Sequence, residues 1–137
     1  MSLVEPRLIH AAPAPAEYCA LRLATGLSAM DEAAAIAGLP ASWCAVSLRV
    51  GDELVGMGRM VGDGALFLQV VDIAVRPDWQ RRGLGRRIMS ALMDEARRRA
   101  PKCVIVTLLA DGEACRLYGQ FGFQLSAPRS QGMLLRL

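Results

Sequence analysis

Val71-Asp72-Ile73-Ala74-Val75-Arg76-Pro77-Asp78-Trp79-Gln80-Arg81-Arg82-Gly83-Leu84-Gly85-Arg86-Arg87, continuing from Ile88 to Pro101, is the stretch around which the chain is arranged. Val71, Ile73, Ala74 and Val75 form an apolar run interrupted by Asp72. Such a run suits a strand buried on both faces, and Pro77 ends it because proline brings no ladder donor. Farther on, Leu84, Ile88, Leu92 and Ala96 recur at helical spacing, with Arg86, Arg87, Asp94, Arg97 and Arg98 on the other side. Arg97, Arg98 and Arg99 suit the negative end of the helix dipole, and Ala100-Pro101 closes the helix.

Strand and helix are joined by Gln80-Arg81-Arg82-Gly83-Leu84-Gly85. The first N–H groups of a helix have no intrahelical partner, so they are free to point at an anion. Glycine lets a phosphate approach the backbone, because no Cβ stands in the way. Arg81, Arg82, Arg86 and Arg87 add positive charge at a helix end where the dipole favours acids. An arriving polyanion would neutralise that charge. The other reading is a solvated basic helix start whose glycines serve only the turn, and the spacing leaves both open.

Gln80 to Gly85, following Asp72 to Asp78, resembles the acetyl-CoA signature of the GNAT superfamily of acyl-CoA-dependent N-acetyltransferases, Arg/Gln-x-x-Gly-x-Gly/Ala. Ala114-Cys115-Arg116-Leu117-Tyr118-Gly119-Gln120-Phe121-Gly122-Phe123 is similar to that family's Ala-x-x-Leu-Tyr-x-x-x-Gly-Phe segment. The two motifs fall in the family's order, with the strand-like run from Cys103 to Ala110 between them, and the clear matches cover about residues 44–125.

The resemblance implies one N-acetyltransferase domain over residues 1–137 with an α/β layered fold. Its sheet would be mixed and mostly antiparallel, of about six to seven strands flanked by about four helices, with two central parallel strands splayed apart. It implies acetyl-CoA as cosubstrate, with pantetheine in the splay beside the main chain of Ile73, Ala74 and Val75. The diphosphate would lie on Gln80, Arg81, Arg82, Gly83, Leu84, Gly85 and Arg86. Asp111 and Ala114 fall beside pantetheine; many relatives carry asparagine where this chain has Asp111, and an ionised carboxylate accepts but does not donate.

Tyr118 falls where the family has its general-acid tyrosine. A phenol of pKa about 10 keeps its proton at neutral pH and can donate to a departing thiolate. Packing the helix against the sheet is the other role open to it. Asp72 matches a position where relatives often carry an acid, and is read equally as the base that receives the amine proton or as a structural partner of an arginine. Glu32, Asp63, Glu113 or a water relay are further candidates for the base.

The chain has 137 residues, long enough for one real core. A net charge of +3 fits an anionic cosubstrate, and with 5% aromatics it gives little support to a nucleic-acid module. No apolar run approaches the roughly 18 residues of a membrane span, and no secretory signal is evident, so the expected address is the cytoplasm. Cys19, Cys44, Cys103 and Cys115 form no Cys-x-x-Cys pair and read as reduced core or near-core thiols; with His10 the single histidine, no metal site is expected.

Met1, Ser2 and Leu3 read as an appended remnant, and Val4 to His10 as an edge strand. Ala16 to Thr25 has helical spacing, with Tyr18, Leu21 and Ala24 on one side and Arg22 on another. Ser28 resembles an N-cap opening a second helix that runs to Gly38. Trp43 to Val50 and Glu53 to Val61 read as a hairpin about Gly51-Asp52, with Gly56 and Gly58 admitting a bulge or close packing, and Ala65 to Val75 as the next strand. Cys103 to Ala110 reads as a central strand, and the tail after Leu125 as two short strands, with Met133, Leu134 and Leu135 in the core.

The expected reaction is acetyl transfer to a primary amine of a small molecule by direct attack. A protein or peptide amine acceptor and a catalytically silent acyl-CoA binder are the alternatives. Acidic Asp63 or Glu32 in the pocket would favour polyamines, whereas Tyr18 and Trp43 would favour arylalkylamines or amino-acid derivatives. Homodimerisation, common in the family, is the one self-association the resemblance implies.

Overall fold

The computed structural model describes residues 4–137; Met1, Ser2 and Leu3 lie outside the described residues. Along the chain run β1 (Arg7–Ile9), α1 (Pro15–Ala24), α2 (Glu32–Gly38), β2 (Cys44–Val50), β3 (Glu53–Gly62), β4 (Phe67–Val75), α3 (Leu84–Arg99), β5 (Ile105–Leu108) and α4 (Cys115–Gly119). The strands form one five-stranded sheet in sequence order. Each neighbour pair is antiparallel except β4 and β5, which are parallel and joined through α3.

α3 lies on one face. Leu84, Ile88, Met89, Leu92, Met93 and Ala96, spaced at three and four residues, are buried against Val46, Leu48, Val55, Met60, Leu68 and Val70. Burying a Leu, Ile or Met side chain in this way contributes about 1.5–3 kcal/mol. α1 and α2 cover the opposite face, where Tyr18, Leu21, Ala35 and Leu39 meet Leu54, Met57 and Ala74. α1 starts with Pro15 at its first position, where the missing N–H costs nothing. Arg22, four residues after Tyr18, shares the buried face and is 7% exposed, so it does not lie on a separate solvent face as its charge suggested.

Two irregularities shape the centre of the sheet. Leu48 pairs with Gly56 and Arg49 with Leu54, leaving Val55 as an extra residue of β3. Met57 pairs with Ala74 and Arg59 with Val71, so Gly58 faces both Asp72 and Ile73 across the ladder. The second bulge therefore belongs to β4, and Asp72 takes a left-handed conformation with φ 60°. Aspartate tolerates that region better than most residues. Gly58 is needed for packing: a Cβ there would lie 2.5 Å from Ile88 Cγ2 and 2.6 Å from Ile73 Cδ1.

Several sequence expectations change. The sheet has five strands instead of six to seven, because residues 120–137 form no strand among the described residues. β5 is shorter than the apolar run and lies at the sheet edge instead of its centre. A short continuous apolar run fits either place, and a tail carrying Pro128 between serines has no alternating pattern that would add a neighbour. Met133, Leu134 and Leu135 are 92%, 68% and 84% exposed, not core. Val71, Ile73 and Val75 are only half-buried, since β5 does not reach along that half of β4. α2 opens after Asp31 instead of Ser28. Cys103 and Cys115 are exposed, while Cys19 and Cys44 are half-buried and burial raises the Cys44 thiol pKa to about 11. Among the described residues no helix is long and apolar enough to cross a membrane, and no cluster of metal-ligating side chains occurs.

Replacing Gly58 with valine should lower stability by about 1–3 kcal/mol, because the added atoms overpack a seam that has no room to yield. Urea unfolding followed by circular dichroism would read this as a lower midpoint at unchanged slope.

Candidate active site

The parallel ladder runs from the Phe67–Ile105 pair to the Val70–Leu108 pair and stops. β4 continues to Val75, pairing there only with β3. The half of β4 that holds Val71, Asp72, Ile73, Ala74 and Val75 thus has one flank without a strand. A cleft of about 590 Å³ opens beside it, with Asp72, Ile73, Leu108, Asp111, Ala114 and Tyr118 among its lining residues. This is the splay that the family resemblance implies, placed between β4 and the edge strand β5.

At the end of β4 the chain turns sharply. The Arg76 N–H donates to Val55 O at 2.9 Å, and its guanidinium pairs with Glu53. The Trp79 N–H donates to Arg76 O at 2.8 Å, and Gln80 Nε2 to Val75 O at 2.9 Å. Gln80 thereby braces the turn with its side chain. Arg81 and Gly83 both have positive φ, 64° and 77°, and Gly83 is the N-cap of α3. The first helical bond runs from Arg87 N–H to Gly83 O, leaving the N–H groups of Leu84, Gly85 and Arg86 outside the ladder.

Arg81, Arg82 and Arg86 are exposed at this helix end, with Arg82 stacked over Trp79 at 4.4 Å. Arg87 does not join them: its Nη1 donates to Pro6 O at 2.9 Å, tying β1 to α3. Gly85 lies close to α4, since a Cβ there would meet Leu117 Cδ2 at 3.2 Å. Free N–H groups, no side chain at Gly83 and nearby guanidinium charge make this helix end a candidate anion seat.

Tyr118, on α4, borders the same cleft and packs edge-on to Phe123, with ring centroids 6.4 Å apart. Burial, and after it the negative charge of Asp111, push its hydroxyl pKa above the usual tyrosine value. The phenol therefore holds its proton throughout the neutral range.

Asp72 is the hub of a network that the sequence did not reveal. Its Oδ2 accepts from Arg59 Nε and from the Tyr18 hydroxyl, each at 2.7 Å, and its Oδ1 is paired with Arg22. Arg22 also donates from Nε to Ser28 O and from Nη2 to Ser28 Oγ, both at 2.8 Å. Arg59 Nη1 donates to Ser42 Oγ at 3.1 Å, and Arg136 in the tail reaches Ser28 Oγ at 3.1 Å. Burial raises the Tyr18 hydroxyl pKa, helped by its hydrogen bond to Asp72.

Asp72 thus takes the arginine-pairing role, one of its two sequence readings. The legible signal was the charge pair itself: Arg59 and Asp72 are the charges inside two largely apolar strands, and Arg22 follows Tyr18 by one helical turn. Ser28, read from the sequence as an N-cap, instead anchors Arg22, and Ser42 and Arg136 gave no sequence signal. Of the other candidates for the base, Asp63 is spent on its turn, accepting from the N–H groups of Ala65, Leu66 and Phe67, which lowers its pKa. Glu32 and Glu113 are exposed and do not line the cleft.

The Asp72 side chain is only 6% exposed, so its charge counts. Asp72→Asn should cost about 3–5 kcal/mol, because two guanidiniums lose the carboxylate they surround. Combining it with Tyr18→Phe in a double-mutant cycle should give a non-additive stability loss, since both side chains serve one hub.

The GNAT acetyltransferase family model matches residues 13–123. A crystal structure of a protein of unknown function, SA2161 from meticillin-resistant Staphylococcus aureus, described as a probable acetyltransferase, is 38% identical, with a TM-score of 0.93 over 96% of this chain and 99% of that one. The ribosomal-protein-S18-alanine N-acetyltransferase of Escherichia coli shares the fold at 19% identity and a TM-score of 0.72, covering 87% of this chain and 77% of that one. An uncharacterised N-acetyltransferase, ycf52, from Gracilaria tenuistipitata var. liui is 28% identical over 58% of this chain, which spans 43% of that relative's length. The splayed mixed sheet, the glycine turn before α3 and these similarities agree: the chain belongs to the GNAT acetyltransferase family.

Proposed function

We propose that this protein moves the acetyl group of acetyl-CoA to a primary amine of a small molecule by direct attack. The observation that carries the reading is the succession along β4 of a cleft bordered by Tyr118, a flank without a strand, and the anion seat that follows the strand's end. Acetyl-CoA supplies an activated thioester. The diphosphate would be held by the N–H groups and guanidiniums between Arg81 and Arg86, with Gln80 bracing the turn. Main-chain atoms of Ile73, Ala74 and Val75 would hold the pantetheine arm as a neighbouring strand would, with Asp111 and Ala114 on the opposite wall.

Tyr118 acts as general acid, giving its proton to the departing thiolate. Asp72 acts as a positioning residue. Three hydrogen bonds, from Arg22, Arg59 and Tyr18, stabilise its charged form, which makes it a weak acceptor for an amine proton. Water in the open cleft is the alternative proton acceptor.

Calorimetric titration with acetyl-CoA, CoA and 3′-dephospho-CoA, followed by thiol release with a panel of amines, tests the reading. Saturable binding at one site per chain with amine-dependent thiol release supports it; no binding at millimolar acetyl-CoA overturns it. Tyr118→Phe should lower kcat by about 10²–10⁴-fold while the KM for acetyl-CoA changes little. Because the tyrosine pKa is raised, activity in the parent protein should hold as pH rises and fall only once Tyr118 deprotonates, above pH of about 10. That alkaline limb should be absent in the phenylalanine variant.

A further inference from the structure

The cleft continues past Tyr118 to the buried network beneath α1. Tyr18, Arg22, Arg59 and Asp72 line it there, together with Met30 and Leu134. The cluster of Arg22, Arg59 and Asp72 carries one positive charge in excess, because two guanidiniums surround a single carboxylate, while Asp111 lines the same cleft on the Tyr118 side. The side chains of Arg22, Arg59 and Asp72 are 9%, 18% and 6% exposed, so bulk water does little to compensate that excess.

The two arginines are not equivalent. Arg22 uses Nε, Nη1 and Nη2, on Asp72 and on Ser28. A guanidinium has five N–H donors, and Arg59 uses only Nε, on Asp72, and Nη1, on Ser42. Its Nη2 has no partner among the described residues and belongs to a side chain that lines the cleft.

We infer that this end of the cleft binds a carboxylate of the acceptor, held by Arg59, so that the acceptor class is small amino-carboxylates, amino acids above all. The inference rests on the acetyl-transfer reading of the same cleft. Three features argue for it. An incoming carboxylate neutralises the excess charge and uses guanidinium donors that the fold leaves over. The same excess disfavours an ammonium beside the two guanidiniums, so an acceptor without a carboxylate, such as a polyamine, is held less well there. Met30, Val61 and Leu134 supply an apolar wall for a side chain. The acidic pocket considered from Asp63 and Glu32 does not form, as neither residue lines this cleft. A protein amine has no obligatory carboxylate a few bonds from its nitrogen, so this site favours free small molecules.

The test compares amino acids with their carboxamides as acceptors in thiol release, for the parent protein, Arg59→Met and Arg59→Lys. Arg59→Met leaves Arg22 and Asp72 as a neutral pair. In the parent, kcat/KM for amino acids should exceed that for the matching amides by about tenfold or more, chiefly through KM. Arg59→Met should remove the preference by raising KM for the carboxylates alone, and Arg59→Lys should restore part of it. Equal use of both series, a preference for amides or polyamines, or equal losses on both series in Arg59→Met overturns the inference. Acetyl-CoA binding without turnover of any amino-carboxylate overturns it as well. Failure of acetyl-CoA to bind instead strikes the proposed function, so the two failures are distinguishable.

Discussion

β4 is paired with β3 from Leu68 to Val75, across a bulge at Asp72 and Ile73, but with β5 only as far as Val70. A strand inside a sheet normally satisfies both flanks, because unpaired backbone groups away from water are costly. Here one flank is released halfway along, and Asp72, Asp111, Ala114 and Tyr118 border the cleft that opens. The glycine turn sits at the far end of the freed segment, α4 carries Tyr118 to the opposite wall, and the tail closes over part of the remainder. The split needs no flexible residue at its fork. β5 ends at Leu108 and the chain turns away through Asp111 and Gly112.

The β4 bulge sets what the freed segment presents. With two residues opposite Gly58, the register beyond the bulge changes face, and Asp72 meets α1 instead of α3. Left-handed backbone at a non-glycine residue costs on the order of 1 kcal/mol or more and persists only where the surroundings fix it. Arg22, Arg59 and Tyr18 fix it. The same contacts cover the α1 face of β4 and give the cleft its sign of charge. Packing, conformation and electrostatics are therefore joined at one carboxylate.

What could be read from the sequence followed from periodicity and turn chemistry. α3, with its repeating apolar face and its glycines at Gly83 and Gly85, was plain, as were the β2–β3 hairpin and the run that ends at Pro77. What was hidden depended on long-range contacts. Nothing local distinguishes an edge strand from a central one at Ile105 to Leu108, and the sheet lost its outermost strands in that gap. The Asp72 hub joins residues 50 and 13 positions away, so no local pattern records it. The resemblance brought Tyr118 and the turn into view, but it said nothing of Arg59, whose spare donors are visible only once its partners are counted.

The outer edge of β5, which pairs with no strand among the described residues and faces Leu125, Ser126 and Gln131 across a cavity, has a further consequence. Ile105 and Leu109 are exposed there, beside a tail with Leu125, Met133 and Leu135 in contact with solvent. An edge of this kind is a template for another strand. Because β5 is also one wall of the cleft, any strand that docks on its outside stiffens the inside. A strand docked at the edge and a molecule in the cleft would touch one mechanical element, so any coupling between them would be reciprocal.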